Sequence, residues 1–125
     1  MRSWLFALAV VVAGAFGAGE ASAQSLGLAK SYAVAGKNVD GSSYSGTADV
    51  RVVSDTTIAI TWRTGGTTFN GFGMRWGETF AVSYEGAGLK GVAMYQVDRA
   101  TGVFSGRWTI LGQNGVGTEV LTPQN

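Results

Sequence analysis

Cysteine and histidine are both absent from the 125 residues, and there is one proline. Without cysteine the chain can form no disulfide and carry no lipidated thiol. Without either residue it has no Cys/His zinc or haem site. Histidine is also the side chain whose ordinary pKa lies near neutrality, so the usual proton shuttle is missing. Charge is scarce as well. Charged residues make up 14% of the chain, nine basic against eight acidic, for a net charge of +1. Nucleic acid is held largely by neutralising phosphates, which takes a basic excess this chain lacks, so no nucleic-acid partner is expected. The longest apolar run, Trp4 to Phe16, is shorter than the roughly 20 residues a membrane-spanning helix needs, so no membrane span is expected.

The few acids and nucleophiles do not assemble into a recognisable catalytic pattern. Past residue 23 the acids are Asp40, Asp49, Asp55, Glu78, Glu85, Asp98 and Glu119. Asp40, Asp55, Glu78 and Asp98 lie in or beside turns, where solvated acids are ordinary. No pair has the look of two carboxylates facing across a cleft, as glycoside hydrolysis requires. Only a serine–lysine scheme could supply a nucleophile, and Lys30, Lys37 and Lys90 fall near strand ends. The stretch Asn38-Val39-Asp40-Gly41-Ser42 has some calcium-loop character but no closing bidentate acid. Gly71-Phe72-Gly73 and Gly115-Val116-Gly117-Thr118 lack the lysine and the helix of a phosphate loop. The expectation is a non-enzyme with no catalytic residues, no metal and no cofactor.

What the chain does have begins with its N-terminus. Met1-Arg2-Ser3 carries a positive charge, the apolar run follows, and Ala21-Ser22-Ala23 is a small-x-small cleavage signal. Together these form a secretory signal peptide over residues 1–23. The mature chain is expected to begin at Gln24 and to be exported, to the periplasm or the medium. Residues 24–30 are expected to be a flexible N-terminal segment, and residues 31–125 the folded domain.

Seventeen of the twenty glycines lie past residue 23, too many for helices, where each costs about 1 kcal/mol in the interior. The pattern there is alternation. Ile58, Ile60 and Trp62 share one parity, and so do Phe80, Val82 and Tyr84, the period of a strand with one buried face. Turn sequences such as Asp40-Gly41, Gly65-Gly66, Trp76-Gly77-Glu78 and Gly86-Ala87-Gly88 separate the runs and supply the positive φ that tight hairpins need. Seven such turns predict eight strands, near 31–37, 44–54, 57–63, 67–75, 79–85, 89–98, 103–111 and 116–122. The links are too short for crossover helices, so neighbours pair antiparallel. Closing the meander removes its two unpaired edges. The expected fold is all-β: a single antiparallel eight-stranded up-and-down β-barrel. A weak repeat, Tyr44-Ser45-Gly46, Phe69-Asn70-Gly71 and Phe104-Ser105-Gly106, places a glycine two residues after a ring. It reads as a device for bending the sheet, or for letting the ring lie over its own following glycine.

Two features could carry function. Trp62, Tyr84, Phe104 and Trp108 fall on the inward parity, where an eight-stranded barrel is just wide enough for its side chains or one small ligand; they are the candidate ligand-binding residues. Alternation from Phe69 and Tyr95 turns Phe72, Met74, Trp76, Val92 and Met94 outward. Either these form an exposed apolar patch, a candidate interface for a protein partner or a homo-oligomer, or a bulge in one strand reverses their facing.

Two passages carry a resemblance. One is residues 32–46, from Tyr32-Ala33-Val34 through Asn38-Val39-Asp40-Gly41-Ser42 to Tyr44-Ser45-Gly46. The other is Gly106-Arg107-Trp108-Thr109 followed by Gly117-Thr118-Glu119-Val120-Leu121-Thr122-Pro123. The chain resembles, over residues 32–123, small exported proteins of alphaproteobacteria, some of them labelled fibronectin-binding. Its architecture is similar to the calycin barrels, which include lipocalins, avidins and small bacterial metalloprotease inhibitors. The resemblance implies an exported binding protein with a small ligand or a host-matrix protein as partner. The alternative it implies is an inhibitor of a secreted or periplasmic protease that inserts residues 24–30.

Overall fold

A computed structural model describes residues 28–124; the signal-peptide reading and residues 24–27 lie outside the described residues. Eight strands follow one another around a closed barrel: β1 (Ser31–Lys37), β2 (Ser43–Val52), β3 (Thr57–Thr64), β4 (Thr67–Trp76), β5 (Thr79–Gly86), β6 (Leu89–Val97), β7 (Phe104–Ile110) and β8 (Gly117–Gln124). Every neighbouring pair is antiparallel, and β8 closes on β1 through Val34 opposite Leu121. Among the described residues there is no helix. The expected eight-stranded up-and-down barrel is the fold.

The hairpin turns form where the glycines allow them. Gly41, Gly65, Gly66, Gly77 and Gly88 all have positive φ, a region that side chains with a Cβ rarely enter. The strands then alternate as the sequence does. Ile58, Ile60, Trp62, Phe80 and Val82 are buried inside, while Thr57, Ala59, Ala81 and Ser83 take the other face. Because the register runs unbroken along β4, β5 and β6, no bulge reverses any facing.

The two ends of the barrel differ. At one end, which carries the β2–β3, β4–β5 and β6–β7 turns, Tyr32, Phe80, Phe104 and Leu121 are fully buried. Phe104 lies at the centre of three rings: Tyr32 at 5.4 Å, Phe80 at 5.2 Å and Tyr95 at 5.8 Å between centroids. Leu28 and Ala29 pack over this end, and the Ala29 N–H donates to Tyr32 Oη at 2.8 Å. Lys30 completes the strap, its carbonyl accepting from Val50 N–H at 2.8 Å. Residues 28–30, expected to be flexible, are therefore held against the barrel. The reason is that the closed end presents an apolar surface that needs a cover, and the two apolar residues just before β1 are within reach of it.

Candidate functional site

The opposite end, which carries the β1–β2, β3–β4, β5–β6 and β7–β8 turns, is not filled. A cavity of about 340 Å³ opens there, with Asn38, Thr64, Gly65, Thr67 and Leu89 toward its mouth and Trp62, Tyr84, Phe69 and Trp108 in its walls. Tyr44, Tyr95, Ala93, Ile110 and Glu119 complete the lining. The rings brace one another edge to face: Trp62 against Tyr84 at 5.6 Å, Phe69 against Tyr84 at 5.9 Å, Tyr44 against Trp108 at 6.2 Å. Such contacts add to area burial and fix ring orientation.

Glu119 is the polar centre of this half. It is the one buried acid among the described residues, 6% exposed. A buried carboxylate is costly unless hydrogen-bonded or paired, and three donors converge on this one. Tyr44 Oη donates to Oε1 at 2.6 Å, Tyr95 Oη to Oε2 at 2.6 Å and Trp62 Nε1 to Oε2 at 3.1 Å. Sheet register explains how two tyrosines reach it. One row across the inner face reads Tyr44, Gly36, Glu119, Gly106, Tyr95 on β2, β1, β8, β7 and β6. Each tyrosine is thus two strands from the acid with a glycine between. A Cβ at Gly36 would run into the Tyr44 ring, and one at Gly106 into the Tyr95 ring. The missing side chains let both rings lie down across the sheet and present their hydroxyls to the carboxylate.

The electrostatics follow from this geometry. Burial, reinforced by the negative Glu119, drives the Tyr44 and Tyr95 hydroxyls far above the ordinary tyrosine value. The same two causes push Tyr84 up to about 12. Both hydroxyls therefore stay protonated and act as donors, as the carboxylate requires. Tyr84 is committed elsewhere, its Oη donating to the Thr109 carbonyl at 3.0 Å. The indole of Trp108 packs edge to face against Tyr44, and its buried Nε1 has no partner at hydrogen-bond geometry. Among the described residues no Lys or Arg pairs with Glu119, and the ion pairs, Arg63–Asp49 and Arg99–Glu78, are exposed on the outside. Among the described residues no three metal-ligating side chains come together.

Of the four residues expected to bind ligand, Trp62, Tyr84 and Trp108 line the cavity and Phe104 does not. Phe104 points inward as alternation requires, but it is 1% exposed at the packed end. Alternation fixes which face a residue takes and not its height along the barrel axis. Of the two readings of the glycine repeat, the ring over its own following glycine is not what forms. The ring of Tyr44 lies over Gly36 of the neighbouring strand and not over Gly46, and Gly106 sits beneath Tyr95 rather than Phe104. Sequence reasoning passed over Glu119. The signal was available: with Gly117 and Leu121 it shares the inward parity of its strand, an acid on a face otherwise apolar.

The five outward residues form a contiguous face. Phe72 and Val92 flank Ser83, and in the next row Met74 and Met94 flank Ala81. Phe72 is 71%, Met74 61% and Trp76 91% exposed. A concavity of about 510 Å³ adjoins them on the outside of β6 and β7, lined by Val92, Met94, Arg107, Thr109 and Val116 among others.

With this geometry in view, the barrel is similar to several solved designed proteins. One redesigned β-barrel superposes with a TM-score of 0.70 at 21% identity, over 83% of this chain and 96% of its own. The redesigned barrel mFAP1, solved bound to DFHBI, gives a TM-score of 0.65 at 20% identity over 81% and 97% of the two chains. A de novo fluorescence-activating β-barrel gives 0.59 at 16% identity over 82% and 97%. At these identities the likeness is one of fold. No protein-family model matches the sequence, and no curated protein matches it.

Proposed function

We propose that this chain is an exported, non-enzymatic binding protein that takes one small, flat, largely apolar ligand through the open end of its barrel. The observation that carries this reading is the unfilled half: a 340 Å³ space walled by aromatic rings, with a few fixed polar atoms at its floor. That is the usual make-up of a small-ligand site, in which apolar walls supply affinity and sparse polar groups set orientation. Such a group is present in Glu119, held by three donors. Solved barrels of the same fold include one bound to the dye DFHBI, so the architecture accommodates a ligand. Export rests on the N-terminal pattern, and sequencing the mature protein should give Gln24 as its first residue.

Protease inhibition through residues 24–30 is less well supported, because Leu28 and Ala29 are packed on the closed end and hydrogen-bonded there. A second reading concerns the outer face. Its large side chains flank small Ala81 and Ser83, so ridges of one copy could seat in the trough of another about a two-fold axis. A matrix-protein partner of the fibronectin type would use the same face.

Native mass spectrometry of protein purified from the exporting host tests the main reading. The expected result is a small-molecule adduct that is missing from an Ala93→Phe variant, whose added ring fills the cavity. A bare barrel in both cases would overturn it. The same spectra report the subunit count.

A further inference from the structure

We infer that the ligand of the open half is an organic cation: a flat, apolar molecule bearing a protonated nitrogen, which it sets against Glu119. This rests on the small-ligand reading above and adds the sign of the ligand's charge.

Three observations carry it. The first is the charge of the lining. Among the residues around the cavity Glu119 is the one charged side chain, and no Lys or Arg is with it. The two ion pairs among the described residues lie on the outer surface, and neither gives Glu119 a cation. The second is the hydrogen-bond count. Oε2 accepts from both Tyr95 and Trp62, whereas Oε1 accepts from Tyr44 alone. A carboxylate oxygen has two lone pairs, so Oε1 keeps one for a donor on the ligand. Three neutral dipoles orient the acid but do not cancel its charge. The third is the wall. Aromatic rings attract cations to their faces and repel anions, most strongly where water is excluded.

The three alternatives separate on these grounds. An anionic ligand, such as a fatty acid, would be buried beside Glu119 with no counter-ion, an arrangement that is strongly unfavourable. A neutral ligand would fill the space but leave the charge as it stands. A protonated amine or nitrogen heterocycle would supply the missing counter-ion and a charge-assisted hydrogen bond together.

The test uses three naphthalene probes of one shape: 1-naphthylmethylammonium, 1-naphthylmethanol and 1-naphthoate, each titrated calorimetrically into the mature protein at neutral pH. The ammonium should bind about tenfold more tightly than the alcohol, and the carboxylate most weakly. In Glu119→Gln, checked for folding by circular dichroism, the ammonium should lose that advantage. Tyr44→Phe, which frees Oε1 further, should keep or increase it. If Glu119→Gln does not fold, the ranking in the unaltered protein still decides. The alcohol or the carboxylate binding as well as the ammonium would overturn the charge assignment and leave the small-ligand reading standing. No binding of any probe up to millimolar concentration would overturn the small-ligand reading, and the charge assignment with it.

Discussion

The two halves of the barrel are built from the same kinds of residue and end up in different states. Tyr32, Phe80 and Phe104 fill the closed half, capped by Leu28 and Ala29. Tyr44, Trp62, Tyr84 and Trp108 ring the open half around a cavity. Ring content therefore does not decide whether a barrel is solid or hollow. Two other things do. One is a cover: the strap before β1 crosses one end, while short hairpin turns at the other leave the interior open. The other is how the rings are placed. In the closed half they point at one another, with Phe104 touching three neighbours. Tyr44 in the open half and Tyr95 between the halves lie flat over glycines and reach along the wall to Glu119. That leaves the axis empty.

The largest expected effect tests this contrast directly. Phe104→Ala should lower stability by about 3–5 kcal/mol, the range for a fully buried large aromatic. Trp108→Ala should cost about 1–2 kcal/mol, since Trp108 faces the cavity and buries less. Urea denaturation of both variants reads the difference. Equal losses would mean that the open half is packed as tightly as the closed one.

The next effect concerns the hydrogen-bonded acid. Glu119→Gln should cost about 1–3 kcal/mol, because an amide nitrogen turned toward these donors leaves buried groups unsatisfied. Gly106→Ala should cost at least as much, because the new Cβ meets both the Tyr95 ring and the Met94 carbonyl. If the Tyr95–Glu119 bond is what that ring position serves, the double variant should lose less than the two single losses combined. Additive losses would separate the glycine from the acid.

The pH dependence distinguishes the halves more finely. All four tyrosines, Tyr32 in the closed half, Tyr95 between the halves and Tyr44 and Tyr84 in the open half, are raised above their ordinary value, first by burial. A raised folded value means that the stability is fully present below the unfolded value near 10 and is lost as pH climbs through the folded values. Phenolate absorbance should therefore stay low near pH 10 and rise with unfolding at higher pH. Tyr44 or Tyr84 ionising near pH 10 in a folded barrel would show that water fills the open half freely.

The smallest stability effect belongs to the outer face. Met74→Glu should change stability by no more than about 0.5 kcal/mol, as for other exposed substitutions. Sedimentation at tens of micromolar should show association in the unaltered protein that Met74→Glu abolishes. A monomer in both would remove the self-association reading and leave the cavity untouched.

By itself the sequence determined the barrel. Period-two alternation, Gly-rich turns at close intervals and the absence of any helical repeat leave few other ways to bury the apolar face and pair every edge. It determined the facing of Trp62, Tyr84 and Trp108, because parity is a local property of a strand; for Phe72, Met74 and Trp76 it left a bulge open, which the unbroken register of β4, β5 and β6 excludes. Height along the axis, and which strand lies opposite which, were decided by the tertiary structure. Phe104 shares its parity with Trp108 and sits at the other end. Tyr44, Glu119 and Tyr95 are far apart in sequence, and what joins them is the stagger of five strands that places Gly36 and Gly106 between them. Each hairpin turn sets the register of its own pair of strands, but the Gly36–Glu119 step pairs the first strand with the last and exists only once the barrel closes, so no local pattern of residues contains it.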